Sequence, residues 1–181
     1  MTSVPQSHHP FVELAWQAVR LYVLERKRLT PPDDLTAELQ TRAGAFVSLH
    51  MPDGDLRGCI GTIEPVRANL AEEIIDNAIS AASRDPRFPP VKPSELSLLD
   101  ISVDVLTAPE PIDSIRDQDP KIHGLIVQSL RERWKRGLLL PDLETIDTAD
   151  KQLYYTRVHK ANITDPKEPV QLYRFRVTRY H

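Results

Sequence analysis

The residues best suited to chemistry lie between Leu56 and Gly61, where Leu56-Arg57-Gly58-Cys59-Ile60-Gly61 carries the chain's one cysteine. An apolar run from Gly44 to Met51 precedes it, and Pro52-Asp53-Gly54-Asp55 separates the two. Asp-Gly between alternating apolar residues predicts a tight hairpin turn, because both residues tolerate positive φ. That turn pairs Met51 with Leu56, His50 with Arg57, Leu49 with Gly58 and Ser48 with Cys59. Side chains alternate across a strand, so Ser48, His50, Arg57 and Cys59 share one face, with Gly61 leaving open space on it. Val47, Leu49, Met51, Leu56 and Ile60 form the apolar face. A thiol beside an arginine, with an imidazole able to take its proton, is the pattern of a nucleophile, with His50 as base. The glycines Gly58 and Gly61 let a ligand or a backbone approach the sulfur. The same residues also fit a plainer reading: Cys59 as a small packed hydrophobe, His50 at a solvated hairpin tip and Arg57 as a surface cation.

A second candidate is Arg84-Asp85-Pro86-Arg87-Phe88. Prolines stiffen this stretch, and two arginines on a stiff loop form a fork for an anion. Alternatively Arg84 and Arg87 pair with Asp85 or another acid and simply hold the loop. His123, beside Gly124, is a third candidate acid–base group, although a lone histidine at a strand start also serves structure. The run Arg131 to Arg136 contains Trp134 and could touch RNA by charge and stacking. Glu132 interrupts it and no nucleic-acid motif accompanies it, so it also reads as a solvated hairpin tip.

These groups must be positioned by a mixed set of elements. Residues 10–28 place Phe11, Leu14, Ala15, Ala18, Leu21 and Tyr22 on one helical stripe. Pro65 to about Arg84 predicts a second helix, with Leu70, Ile74, Ala78 and Ala81 or Ala82 inward and Pro65 in its first turn. Leu99 to Val105 alternates, with Asp100, Ser102 and Asp104 on a polar face, and reads as a half-buried strand. Residues 109–120 read as a connection with a possible helical turn. Ile122 to Val127 and Gly137 to Leu140 predict short strands, Asp147 or Thr148 caps a late helix reaching about Lys160, and Val170 to Thr178 predicts a last strand. Regular βαβ alternation is missing, so the expected class is α+β, a mainly antiparallel sheet with helices packed on it.

The chain has 181 residues, enough for one domain with a sizeable core. Residues 1–10 read as a flexible tail and 11–181 as a single domain. A net charge of −3 gives no general attraction to nucleic acid or anionic membrane. A single cysteine excludes an internal disulfide, no cluster points to a zinc site, and neither a signal-peptide core nor a membrane span is visible. These features predict a cytoplasmic protein with no metal and no cofactor.

Several segments occur in an order that resembles one family. They are Gly44-Ala45-Phe46-Val47-Ser48-Leu49, then Leu56-Arg57-Gly58-Cys59-Ile60-Gly61-Thr62-Ile63-Glu64-Pro65, then Asp85-Pro86-Arg87-Phe88-Pro89-Pro90-Val91. His123-Gly124-Leu125-Ile126-Val127 and Gly137-Leu138-Leu139-Leu140-Pro141 follow. Together they resemble the AMMECR domain family, in prokaryotes the AmmeMemoRadiSam system protein A, over about residues 12–180. The resemblance implies an antiparallel main sheet, a smaller subdomain, and a cleft where the signature, the Asp-Pro-Arg-Phe loop and the His-Gly strand approach one another. It also implies association with a Memo-like protein and a radical S-adenosylmethionine protein. The stretch Asp142 to Asn162 is shorter than the family's.

Three functions follow. The first is a binding module whose cleft grips a partner protein or small anion, with Arg57, Gly58, Gly61, Arg84, Asp85, Arg87 and Phe88 as ligand-binding residues. The second is an enzyme with Cys59 as nucleophile or acid–base group and His50 or His123 as proton acceptor. The third, an RNA-associated adaptor, has the weakest support. Binding is preferred, because no partner that would orient a base for the cysteine can be named.

Overall fold

A computed structural model describes residues 8–181. The chain forms two compact units, residues 8–105 with Thr178–His181, and Leu106–Val177. The predicted tail falls mostly on residues outside the described ones. Its last part is structured: helix α1 spans Pro10–Glu25, and the His9 side chain accepts the Phe11 N–H as its cap. Arg26, in the left-handed region at φ 58, ends α1 earlier than the basic run Arg26-Lys27-Arg28 suggests.

In the first unit, strands β1 (Ala45–His50), β2 (Leu56–Gly61) and β3 (Asp100–Leu106) join β8 (Val177–Tyr180) in the order β2-β1-β3-β8. β1 is antiparallel to both of its neighbours. The short helix α2 (Ala37–Gln40) and the long helix α3 (Leu70–Ser83) complete it with α1. The buried stripe of α3 includes Leu70, Ile74, Ala78, Ala81 and Ala82, as its periodicity predicts. Its start differs from the sequence reading. Asn69 caps it by accepting the Glu72 N–H, so Pro65 lies in the preceding loop. Buried Glu73 explains that loop: its carboxylate takes the Thr62 hydroxyl at 2.6 Å and the Val66 and Arg67 N–H groups at 2.9 and 2.8 Å. A loop held by a buried acceptor keeps its shape without helical bonds. On β3, Ile101 and Val103 enter the core. The alternate residues Ser102 and Asp104 are also buried, and Arg179 of β8 satisfies Asp104 through both guanidinium contacts, 2.7 and 2.8 Å.

The second unit holds β4 (Glu110–Ile112), β5 (Gly124–Ser129), β6 (Arg136–Leu139) and β7 (Val170–Phe175), antiparallel in the order β4-β7-β5-β6. β4 occupies the stretch read from sequence as a connection. Leu125, Val127, Ala161, Ile163 and Leu172 make the core of this unit. The late helix starts at the predicted cap, with Thr148 accepting the Lys151 N–H, runs as α4 (Ala149–Tyr154), and widens into a π-helical segment, Tyr155–Lys160. The stretch predicted as one last strand is two. β7 belongs to the second sheet and β8 to the first, with the break at Arg176. Helices on antiparallel sheets give the α+β class expected from sequence.

Candidate functional site

β2 is the edge of the first sheet, which leaves one row of its backbone groups without a neighbouring strand. Thr62 N–H bonds the Ala45 carbonyl. Counting the alternation from there, the Ser48–Cys59 pair is non-hydrogen-bonded, and Cys59 N–H and C=O point off the edge. Non-hydrogen-bonded pairs bring side chains closest, and Ser48 Oγ donates to Cys59 Sγ at 3.2 Å. The predicted shared face of Ser48 and Cys59 is therefore present. Opposite it, Leu49 is buried and the carbonyl of Ala81 in α3 lies 2.2 Å from where a Cβ on Gly58 would stand. Gly58 thus admits a helix backbone.

The loop after α3 closes the open edge. Asp85 Oδ2 accepts the Cys59 N–H at 2.9 Å, and Arg87 Nη2 reaches the Cys59 carbonyl at 3.4 Å. Arg87 forks the same carboxylate, with Nε to Oδ1 at 3.0 Å and Nη2 to Oδ2 at 2.8 Å, and its own N–H adds a contact of 3.1 Å. The Asp85 side chain is 2% exposed against 56% for Arg87, so a buried carboxylate is held by a guanidinium that water also reaches. The Arg87 hydrogen bonds, then those from the Cys59 and Arg87 backbones, outweigh burial and hold the Asp85 carboxyl well below the usual carboxylate range. Arg57 forks Glu95 at 2.8 and 3.1 Å and donates to the Pro89 carbonyl at 2.9 Å. That pairing lowers the Glu95 pKa, and Glu95 also accepts the Lys92 N–H.

The sequence candidates near Cys59 are thus brought together, but as a clamp. The forks of Arg57 and Arg87 are occupied by Glu95 and Asp85; for Arg87 this is the loop-holding ion pair weighed above, whereas Arg57 is a largely buried partner of Glu95 rather than a surface cation. Arg84 is exposed at the end of α3, and the Phe88 ring lies 5.5 Å from the Arg87 guanidinium carbon. Two expectations need correction. The predicted Met51–Leu56 and His50–Arg57 pairs are not formed: the Met51 N–H bonds the Asp55 carbonyl at 2.8 Å, and a bulge between Leu49 and His50 sets His50 opposite Leu56 and leaves Arg57 as the extra residue. No hydrogen bond joins His50 to Cys59. The predicted open space at Gly61 is filled, since a Cβ there would stand 2.2 Å from the Phe46 ring.

The remaining candidate, His123, belongs to the second unit and lines a pocket of about 200 Å³ with Thr107, Glu110, Arg174, Phe175 and Arg176. Its position is tightly determined. The Asp119 N–H donates to Nδ1 at 3.3 Å, which places the proton of the neutral ring on Nε2. Buried Gln152 and Gln118 hold the His123 carbonyl at 2.8 and 3.2 Å. Gly124 makes room for Phe175, whose ring comes within 2.2 Å of a Cβ built there. Burial, then the charges of Arg174 and Arg176, push the His123 pKa down, so the imidazole is a neutral Nε2–H donor at pH 7.

Around it the donors outnumber the acceptors. Arg174 makes one long contact, 3.4 Å, to the exposed carboxylate of Glu110. Among the described residues no side-chain hydrogen bond engages Arg176, which is exposed, and its N–H donates to Thr107 Oγ1 at 2.9 Å, leaving that hydroxyl's proton to donate. The sequence reading missed Arg174 and Arg176 as site residues. Their signal was the alternation Tyr173, Phe175, Val177 against Arg174, Arg176, Thr178, which put two arginines on the polar face of one strand. Among the described residues, no three His, Cys, Asp or Glu side chains converge as a metal site would require, and no helix is long and apolar enough to cross a membrane.

The AMMECR1 family model matches residues 12–180. A Thermotoga maritima protein is 49% identical over 173 residues, 95% of this chain and 97% of that one. A Clostridium acetobutylicum protein is 45% identical over 181 residues, where the match spans 98% of this chain but only 37% of that longer protein. In three dimensions the chain is similar to the crystal structure of an uncharacterised Pyrococcus horikoshii protein, PH0010. That likeness has a TM-score of 0.78 at 33% identity and covers 93% of this chain and 88% of the other. With the family model matching residues 12–180, and the Thermotoga maritima relative matching 95% of this chain at 49% identity, this protein belongs to the AMMECR1 family.

Proposed function

We propose that this protein is a binding module for a small anionic ligand, and that the ligand sits in the pocket around His123, Arg174 and Arg176. One observation carries the reading: two arginines with donors to spare, a neutral histidine and a threonine line one pocket, with Glu110 the one carboxylate residue among its lining. Preorganised guanidinium donors favour a phosphate- or carboxylate-sized group, and 200 Å³ suits such a group with a few waters rather than a large molecule. The Cys59 region supports binding over thiol chemistry in a different way. Its arginines are committed to Glu95 and Asp85, and its sulfur meets a serine hydroxyl instead of a base. A cytoplasmic setting, rich in phosphorylated and carboxylated metabolites, would suit this role.

The test is titration of the protein with inorganic phosphate and with acetate, followed by calorimetry and by the His123 imidazole resonances. Arg174→Ala and Arg176→Ala should each weaken the preferred anion by about tenfold or more, the loss of one charge-assisted contact. Cys59→Ser should bind as the parent does. Unchanged affinity in both arginine variants, or binding abolished by Cys59→Ser with an intact fold, would overturn the reading.

A further inference from the structure

The loop between β5 and β6 is built to hold an aromatic side chain out in water. Trp134 is 73% exposed and Leu130 53%, and both lie in the stretch Leu130-Arg131-Glu132-Arg133-Trp134-Lys135. Leaving an indole that exposed forgoes the favourable burial of a large apolar surface, so a loop that does so calls for a reason.

The loop is also rigid. Ser129 is fully buried, and its hydroxyl oxygen accepts the Arg131 and Glu132 N–H groups at 3.1 and 2.9 Å while its proton goes to the buried Glu168 carboxylate. Lys135 N–H closes the turn on the Glu132 carbonyl at 2.7 Å, Ser129 N–H bonds the Lys135 carbonyl at 3.0 Å, and Leu130 N–H bonds the Pro169 carbonyl at 3.0 Å. Gln128 holds the Arg133 carbonyl at 3.2 Å. The tip is therefore preorganised, and a partner need not pay to order it.

Its charge is sorted as well. Glu132 is neutralised inside the loop by Lys135, whose ammonium lies 5.4 Å from the Trp134 ring centre. Arg131 and Arg133 are exposed and have no carboxylate partner among the described residues, so the tip presents two positive charges although the chain as a whole carries −3. An exposed tryptophan on a loop that also presents two arginines without a carboxylate partner among the described residues has the composition of an interface hot spot.

We propose that this tip is a docking element for a partner protein that offers an apolar pocket for Trp134, with Leu130 against its lip, and carboxylates at its rim for Arg131 and Arg133. Single-stranded nucleic acid fits less well, because base stacking uses a row of open ring faces along a positive groove, and here one ring has a lysine beside it. A membrane surface fits less well too, since two apolar side chains bury little hydrocarbon. The inference is independent of the anion pocket.

The experiment replaces Trp134 with a photocrosslinking aromatic amino acid in the full-length protein in its native host, and identifies what is joined after irradiation. The crosslinked protein, purified, is then titrated against the parent, Trp134→Ala and the double variant Arg131→Glu/Arg133→Glu. The proposal expects one protein species, about tenfold or greater weakening in each variant, salt-sensitive binding by the parent, and phosphate affinity unchanged throughout. Crosslinks to RNA, to lipid or to a second copy of this chain overturn it. So does a crosslinked protein whose affinity survives both variants, or the absence of any crosslink.

Discussion

Removing Asp85 should reveal how much the first unit depends on its closed sheet edge. In Asp85→Ala the Cys59 N–H, the Arg87 N–H and the Arg87 fork all lose their acceptor. A buried donor left unsatisfied costs about 1–3 kcal/mol, but the Arg87 guanidinium is half exposed and water can replace its contacts cheaply. The two backbone donors therefore dominate, and we expect a loss of about 2–4 kcal/mol. Arg87→Ala leaves the carboxylate with both backbone N–H groups and opens it to water, so it should cost about 1–2 kcal/mol, clearly less. Asp85→Asn keeps an acceptor oxygen but loses the charge, and should fall between them. Urea unfolding at pH 7 measures all three. The pH dependence follows from the lowered pKa. Ionised Asp85 contributes fully above the unfolded carboxylate value of about 3.9, and its contribution is lost as pH falls through the lower folded value. The gap between parent and Asp85→Asn should accordingly be the same at pH 7 and pH 5 and close in stronger acid. An Arg87→Ala variant as damaged as Asp85→Ala would refute the edge-closing argument and make the ion pair itself the source of stability.

Two further outcomes are expected. His123 has a depressed folded pKa, so the stability it contributes as a neutral ring is full above its unfolded value of about 6.5 and is lost as pH falls below it. Protonation would also break the Asp119 N–H contact to Nδ1. His123→Gln should therefore show a flatter stability profile between pH 7 and pH 5 in urea titrations, and a parallel profile would count against this. Gly58→Ala drives a methyl group to within 2.2 Å of the Ala81 carbonyl in α3 and should cost about 2–3 kcal/mol in thermal or urea unfolding. A neutral substitution there would mean that α3 does not press on β2 as described.

Local signals were enough to locate the hairpin and its Ser48–Cys59 pairing, though not the register beside its turn. Asp53-Gly54 fixes the turn, with Gly54 at φ 90, and alternation alone predicts that Ser48 meets Cys59 while Leu49 turns inward. The same periodicity on β3 and α3 marks their buried residues, and the ordered segments from Gly44 to Pro141 identify the family, because short-range preferences and motif spacing are written along the chain. The functional geometry rests on contacts the chain does not announce. Arg57 is shifted by a bulge close to the turn, which the alternation along the chain does not predict. Asp85 reaches Cys59 across 26 residues because the stiff loop after α3 folds back on an unprotected edge. His123 acquires Arg174 and Arg176 only when β7 takes its place beside β5. Alternation continues without interruption through Arg174, Arg176 and Thr178, yet the chain changes sheets at Arg176. A period of two says which side chains share a face, while the identity of the neighbouring strand is set by long-range pairing, and that pairing decides which charges meet.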